Sequence, residues 1–343
     1  MVNPDRVRHA RMYYGWSQAE LAALVGTTQP KLSQLEKGLY SSSELVDAIA
    51  QATQYSREWF DLGPLPDLPT GSLRFRKQAS SRVRDDERIR CHVRQAIEIL
   101  AKFSDLPQSP PVQLRPLYPS ETLSTARIEQ VALEVREQLG VGPSDAIPNL
   151  VRAIERCGVV VIGSAVDIEK HSGASFWPDY PHGHPIICIS RGISGDRQRF
   201  TAGHELGHLI LHQFGNPDPK TAESEANRFA SALLIPRDAA LEWIEPPITL
   251  RKLALVKAQW GISIRALVRR SLDLHLIDDA NRLSLEKQIA SRGWTKQEPI
   301  DVPYEQPALL KRLIEIGSGL PAAERGRLPN LLLPPLAARD LVA

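Results

Sequence analysis

The chain has 343 residues, a net charge of +2 and a hydrophobic fraction of 42%. A globular domain usually contains about 100–200 residues, so this length predicts two or three domains, and the composition excludes a globally disordered chain. The balance of 42 basic against 40 acidic residues excludes a chain-wide electrostatic field, so any nucleic-acid surface must be local. No apolar run approaches the roughly 18 residues of a membrane helix, so no membrane partner is expected.

The N-terminal segment and the cysteines predict a cytoplasmic protein. Residues 1–16 are charged from Asp5 onward and contain no apolar segment of the kind found in secretory signals. The three cysteines, Cys91, Cys157 and Cys188, are too few and too far apart in the sequence for a disulfide framework or a four-cysteine zinc site.

Residues 5–60 predict a series of short helices. Ser17 and Glu20 have the spacing of a capping box, which begins a helix that Gly26 then ends. Thr27 or Thr28 caps the next helix, whose first turn tolerates a proline. Two helices of about eight residues joined by a glycine-containing turn indicate a helix-turn-helix.

Polar side chains remain on the second helix of this motif once its core leucines are set aside. Amides and hydroxyls near a helix N-terminus can contact base edges and phosphates. The residues predicted to contact DNA are Gln18, Thr28, Gln29, Lys31, Ser33 and Gln34. The pattern SQAELA…GTTQPKLSQLEKG resembles the Xre/Cro-type repressor family, which implies a five-helix domain whose third helix enters the major groove of double-stranded DNA. The alternative is a helical bundle used only for protein contacts.

A basic stretch lies between two proline-rich segments, residues 63–71 and 105–124, which predict linkers. From Arg74 to Arg94 there are eight basic residues against three acidic ones, and the stretch then becomes helical. Two interpretations remain open. One is contact with a nucleic-acid backbone, with single-stranded DNA as a candidate activator. The other is a solvated helix face.

Residues 126–190 predict two helices followed by three short strands. The first helix begins at Ala126, and the second spans Ile147–Cys157. The predicted strands are Val159–Ile162, Ser172–Trp177 and Pro185–Ser190. The loop between the last two strands contains Tyr180, His182 and His184, any of which is a candidate for stabilising an oxyanion.

The segment after these strands contains the most specific motif, His204-Glu205-x-x-His208. Residues four apart in a helix lie about 40° apart around the axis and about 6 Å apart along it, so both imidazoles can bind one tetrahedral Zn²⁺. Glu205 points beside them, toward the water that completes the coordination, where its carboxylate can act as a general base. Gly207 weakens a helix by about 1 kcal/mol relative to alanine, which favours close passage of another backbone.

A further helix begins near Glu223 and supplies the third predicted zinc ligand. A glutamate here completes the His₂Glu set of catalytic zinc sites and leaves a fourth position for water. Asn227 lies four residues later on the same face, from which it can orient a ligand histidine. Glu225 competes for the ligand role, although Glu223 shares the buried face better. His212, one turn after His208, is expected to support the site from behind or to lie in the core.

The stretches RQRFTAGHELGHLILH and ESEANRFASALLIP resemble the ImmA/IrrE metallopeptidase family. The resemblance implies a gluzincin-like fold, zinc held by His204, His208 and Glu223, and Glu205 as general base. It also implies that the substrate is a repressor of the Xre type, cleaved to derepress stress, DNA-damage or mobile-element genes. Because this chain carries its own helix-turn-helix, that substrate is either a separate repressor or the chain itself. A homodimer is also expected.

The predicted fold class is mainly α with a small sheet. Residues 249–275 predict helices; the resemblance implies that they pack on the peptidase, and a second DNA-binding unit is the alternative. Three interpretations of the apolar tail remain open: a docking segment, an occluding segment and a strap across the domain surface. Two other functions remain open: a transcription factor whose peptidase fold serves only sensing or dimerisation, and an antitoxin-like interaction module.

The predicted domains are a helix-turn-helix domain at 1–63, a basic helix and linker at 64–125, a zinc metallopeptidase core at 126–245, and a C-terminal helical region and tail at 246–343.

Overall fold

The computed structural model describes residues 2–68, 74–75, 83–103, 109–118, 123–164, 173–178, 182–215 and 217–317. Over these ranges the chain is mainly α-helical with one small sheet, so the predicted fold class is confirmed. No helix in the described ranges is both long enough and apolar enough to cross a membrane. The predicted tail beyond residue 317 and Tyr180 lie outside them.

The α-helices of the described residues are α1 (Pro4–Tyr13), α2 (Gln18–Leu24), α3 (Gln29–Glu36), α4 (Ser43–Thr53), α5 (Val83–Phe103), α6 (Thr125–Gln138), α7 (Leu150–Arg156), α8 (Gly195–Leu211), α9 (Pro219–Leu234), α10 (Arg237–Trp243), α11 (Leu250–Trp260), α12 (Ile264–Asp273), α13 (Asp279–Ser291) and α14 (Leu309–Gly317). The strands are β1 (Arg74–Phe75), β2 (Val160–Ser164), β3 (Gly173–Phe176) and β4 (Ile186–Ser190).

Contacts divide the chain into two compact units. Unit 1 comprises residues 1–109, 160–191 and 307–343, and unit 2 comprises residues 110–159 and 192–306. Unit 1 therefore contains α1–α5, the sheet and α14, whereas unit 2 contains α6–α13.

The first four helices of unit 1 and a short 3₁₀ helix, Arg57–Asp61, surround one apolar core that includes Leu21, Leu32 and Trp59. The capping box predicted at the start of α2 is present, and Thr28 is the N-cap residue of α3. Gly26 follows α2 with a φ of 67°, a conformation that glycine adopts without steric cost. These local signals set the angle and spacing of α2 and α3.

The sheet of unit 1 has the strand order β1-β3-β4-β2. β2 pairs in parallel with β4, and β3 pairs antiparallel with β4 and with β1. Three of these strands were predicted from the sequence, whereas the two-residue β1 was not. Residues of β2 and β4 are buried along their whole length, and α5 and α14 cover the sheet through Ile89, Val93 and Leu313.

A second face of α5 packs on the helix-turn-helix helices. The guanidinium of Arg6 lies 2.8 Å from the Glu98 carboxylate, and the rings of Tyr13 and His92 are 4.7 Å apart. The thiol of Cys91 contacts the carbonyl oxygen of His9 at 3.8 Å. The α5 helix therefore belongs to two buried interfaces within unit 1.

Three arginines of the predicted basic stretch contact protein groups in unit 1. Arg84 lies 3.4 Å from the Glu20 carboxylate, and Arg88 donates to the Tyr13 carbonyl oxygen at 3.3 Å. Arg90 donates to the carbonyl oxygen of Leu68. The side chains of Arg74, Arg76, Lys77 and Arg82 lie outside the described part of the chain. Contact of this stretch with single-stranded DNA stays a prediction.

In unit 2, α8 packs closely along α9, and two glycines of α8 face the partner helix, of which Gly207 makes the tighter contact. A Cβ on Gly207 would lie 3.0 Å from Phe229 Cδ1 and 3.3 Å from Ala226 Cα, and one on Gly203 would lie 3.4 Å from Ala230 Cα. The close backbone approach predicted at Gly207 is therefore present.

The start of α8 is fixed by an extended segment near residue 303. The Gly195 amide donates to the Val302 carbonyl oxygen at 3.1 Å, and Glu305 forms a buried ion pair with Arg199. Glu305 also accepts a hydrogen bond from the Val151 amide at 2.8 Å, which ties α7 to α8. These contacts hold the helix that carries the predicted metal-binding motif.

The helices α10–α13 also belong to unit 2. Arg270 of α12 is buried and forms a bidentate ion pair with Glu129 of α6, with one N–O distance of 2.8 Å. Lys257 of α11 contacts Asp196 at 2.6 Å and Glu298 at 2.9 Å. Residues 249–275, for which a second DNA-binding unit was the alternative prediction, thus pack onto the other helices of this unit.

Candidate metal centre

Two neighbouring helices bring the predicted zinc ligands together. His204 and His208 lie one turn apart on α8, whose residues are buried over most of its length. Glu223 lies in the N-terminal half of α9, whose N-cap residue is Asp218. The Asp218 carboxylate accepts hydrogen bonds from the amides of Lys220 at 3.0 Å and Thr221 at 3.2 Å, a capping arrangement that fixes where α9 starts.

The side-chain atoms that face one another form a compact triangle. His204 Nε2 and His208 Nε2 are 3.1 Å apart. The Glu223 oxygens lie 3.5 Å from His204 Nε2 and 3.3 Å from His208 Nε2. Ligands at about 2.0–2.1 Å from a tetrahedral zinc ion are separated from one another by roughly 3.3–3.4 Å. The three residues therefore fit a divalent ion with the chemistry and spacing of a His₂Glu site, and they form the candidate group found in the described ranges.

Burial differs among the three residues. The side chains of His204 and His208 are 1% and 3% exposed, whereas that of Glu223 is 33% exposed. The histidines are thus held inside the protein, and the group opens toward solvent on the Glu223 side.

The predicted general base lies directly after the first histidine. Glu205 is 1% exposed and occupies the third turn of α8. The geometry of a helix places it about 100° around the axis from His204. Glu205 is not a member of the group of His204, His208 and Glu223 found among the described residues.

Each candidate ligand histidine has a different contact at its second ring nitrogen. His204 Nδ1 lies 3.0 Å from the side-chain oxygen of Asn227. His208 Nδ1 lies 2.9 Å from His212 Nδ1, and His212 Nε2 lies 2.9 Å from the Glu225 carboxylate. Asn227 and His212 thus contact the two histidines at the ring nitrogens that do not face Glu223. Glu225 contacts His212, which the sequence did not predict; the four-residue spacing of His208 and His212 indicated only that these two histidines share a helix face.

The side chains predicted to contact DNA are accessible on one part of the helix-turn-helix. Thr28, Gln29, Lys31 and Gln34 are exposed, and Gln18 and Ser33 are half-buried. The Gln29 side-chain amide donates to Gln18 at 2.8 Å, and Gln18 donates to Glu36 at 2.8 Å. Arg11 completes the network through two hydrogen bonds to Glu36, of 2.6 and 3.0 Å. Arg11 and Glu36, which were not predicted, therefore hold the two glutamines in place.

The candidate oxyanion residues lie in unit 1. His184 is buried, with Nε2 3.0 Å from the Ser109 hydroxyl, and His182 is exposed. Tyr180 is outside the described part of the chain. A role for any of them stays a prediction.

Comparison with known families identifies both parts of the chain. Residues 154–272 match the peptidase M78 family, described as the IrrE N-terminal-like domain. Residues 7–60 match a helix-turn-helix family. The chain thus contains an ImmA/IrrE-type domain and an N-terminal helix-turn-helix domain. Both resemblances predicted from the sequence are confirmed, and the IrrE-like match contains all three candidate metal ligands.

One solved structure shows a partial likeness to this chain. It is a Mycobacterium tuberculosis transcriptional regulator with 12% sequence identity and a TM-score of 0.32. The alignment covers 52% of this chain and 51% of the regulator, so the chain spans about half the length of that protein.

Proposed function

We propose that this protein is a DNA-binding regulator with a zinc-dependent endopeptidase site that cleaves a repressor protein, either a separate one or itself. Cleavage would derepress genes for stress, DNA damage or mobile elements. The observation that carries the proposal is the triangle of His204, His208 and Glu223, whose facing atoms are 3.1–3.5 Å apart. Its spacing fits zinc, and a buried glutamate, Glu205, follows the first histidine.

The residues of the site would have two separate roles in peptide hydrolysis: binding the metal and transferring a proton. A zinc ion held by His204, His208 and Glu223 would supply Lewis-acid chemistry. Glu205 would accept a proton from the attacking water and later donate it to the leaving amine. Burial of Glu205 and of both histidines excludes bulk water from behind the site, which strengthens the electrostatic interactions there.

The helix-turn-helix supports the DNA-binding part of the proposal. Its exposed polar residues cluster at the N-terminal end of α3, where side chains can reach base edges. The hydrogen bonds from Gln29 to Gln18 and from Gln18 to Glu36 restrict the side-chain rotamers before DNA binds. This reduces the conformational entropy lost on binding.

The decisive experiment compares wild type with Glu205→Gln, each expressed beside the proteins encoded by its genomic neighbours. Mass spectrometry of new protein termini should detect cleavage only with wild type, because the amide cannot act as a base. Loss of a general base typically costs about 10²–10⁴ in rate. Metal analysis should find the same zinc content in both proteins.

An exposed glutamate in α10 provides the matched control, Glu242→Gln, which should cleave like wild type. Equal cleavage by wild type and Glu205→Gln would refute the assigned mechanism. Zinc binding without cleavage by wild type would favour the alternative in which the peptidase fold serves only sensing or dimerisation.

A further inference from the structure

A line of buried side chains extends away from the candidate metal centre behind His208. Its members are His212, which is 1% exposed, and Glu225, which is 6% exposed. The two contacts are 2.9 Å each, from His208 to His212 and from His212 to Glu225. Such distances are those of good hydrogen bonds. We propose that Glu225, acting through His212, fixes the ring of His208 and sets how tightly the centre holds its metal.

The two contacts together allow one arrangement of protons on neutral rings. His208 needs a free lone pair at Nε2, the atom that faces Glu223 at 3.3 Å, so its proton is on Nδ1. His208 Nδ1–H then donates to His212 Nδ1, which leaves the proton of His212 on Nε2. That N–H donates to the Glu225 carboxylate, which only accepts. Each group thus has the role that its neighbour requires.

Glu225 is itself held in place. Its second carboxylate oxygen accepts a hydrogen bond from the Leu123 amide at 3.2 Å, in the chain segment just before α6. The carboxylate is therefore fixed on both oxygens, one toward His212 and one toward the backbone. A buried carboxylate at the end of such a chain orients the ligand ring and raises its basicity.

The two candidate ligand histidines are supported unequally. His204 contacts the neutral amide of Asn227, whereas the line behind His208 ends in a carboxylate. The negative charge should make His208 the stronger electron donor to a metal. Glu225 and His212 are accordingly positioning residues, and this inference rests on the metal site of the proposed function.

The test measures zinc affinity of the full chain by competition with a chelator. Glu225→Gln keeps the size of the side chain and an acceptor for His212 but removes the charge. Loss of such outer contacts typically weakens metal binding about 10–100-fold, and we expect a decrease in this range. Thermal unfolding of the metal-free proteins should be unchanged, which separates positioning from folding.

A second readout is the visible absorption spectrum of the Co²⁺-loaded proteins. Glu225→Gln should shift the bands through the altered His208, whereas the surface control Glu242→Gln should leave both spectrum and affinity unchanged. If Glu225→Gln does not fold, His212→Gln, which interrupts the same line, decides in its place.

Wild-type zinc affinity and an unaltered cobalt spectrum in both Glu225→Gln and His212→Gln would overturn the inference while leaving the proposed function intact. Failure of wild type to bind zinc at all would overturn both. The two failures are thus distinguishable by the behaviour of wild type alone.

Discussion

Glu223 and Glu225 lie two positions apart on α9, and their carboxylates lie on the sides of two different ring nitrogens of His208. Glu223 lies 3.3 Å from His208 Nε2, whereas Glu225 reaches the Nδ1 side through His212. Successive residues of an α-helix are rotated by about 100° around its axis, so two side chains two positions apart point in directions about 200° apart. Two acidic residues that competed for one role in the sequence therefore have separate positions in the structure.

Metal removal should lower the stability of unit 2. An ion bound only by the folded chain stabilises it by about 2.7 kcal/mol when its free concentration is one hundred times the dissociation constant. Thermal unfolding of wild type should therefore shift upward on adding zinc to the metal-free protein. Glu223→Ala removes one of three ligands and should abolish the shift. A shift of equal size in Glu223→Ala would show that zinc binds elsewhere.

Gln29→Ala should weaken DNA binding. Loss of a side chain that contacts a base edge costs about 1–3 kcal/mol. The measurement is binding to the genomic fragments that wild type enriches, at fixed salt. Gln51→Ala, an exposed glutamine on α4, is the matched control and should bind like wild type. If the Gln29 and Gln51 variants bind these DNA fragments equally well, α3 does not contact the bases through Gln29.

Gly195→Ala should destabilise the start of α8. A Cβ at this position would overlap with the carbonyl oxygens of Val302 and Pro303, which are backbone atoms. Displacing them should cost about 1–3 kcal/mol, measured by urea unfolding. Gly203→Ala is the control in the same helix, because its Cβ would lie at 3.4 Å from Ala230 and alanine favours the helix by about 1 kcal/mol. If the Gly195 variant is as stable as wild type, the close approach of the Val302–Pro303 backbone to Gly195 is contradicted.

Stability of unit 1 should fall in mild acid because of His9. Burial, assisted by Arg94, Arg6 and His92, lowers the pKa of His9 from 6.5 to about 3. Between these values the unfolded chain binds a proton that the folded chain does not, so stability decreases as pH falls below 6.5. The loss is about 1.4 kcal/mol per pH unit, or about 2 kcal/mol at pH 5.

Urea unfolding at pH 7.5 and pH 5 measures the effect of His9. The variant His9→Gln cannot bind this proton, so its stability should change less between the two pH values than that of wild type. The same change in both proteins would show that other groups cause the acid sensitivity.

Much of the candidate site was predictable because it depends on local spacing. His204 and His208 are four residues apart, so any helix places them on one face, and Glu223 follows on the next helix. The pairing of His212 with Glu225 was not predictable, since it depends on how closely α8 and α9 approach. That approach depends on the absence of a side chain at Gly207, where a Cβ would lie 3.0 Å from Phe229 Cδ1, and sequence periodicity does not describe such packing.

The sheet shows the same limit. Three of its strands were predicted from the sequence, but β1 consists of Arg74 and Phe75 within a basic stretch and has no apolar pattern of its own. It exists because it pairs with Ala174 and Ser175 of β3. The parallel pairing of β2 with β4 likewise depends on contacts distant in sequence.

The two buried faces of α5 have a practical consequence for dissecting the molecule. Cutting the chain at residue 63 would strip the helix-turn-helix from α5, expose the thiol of Cys91 to air oxidation and leave the carboxylate of Glu98 without Arg6. Such a fragment should be poorly soluble. Preparations for metal-binding or cleavage assays should therefore retain the first helices, even when DNA plays no part in the assay.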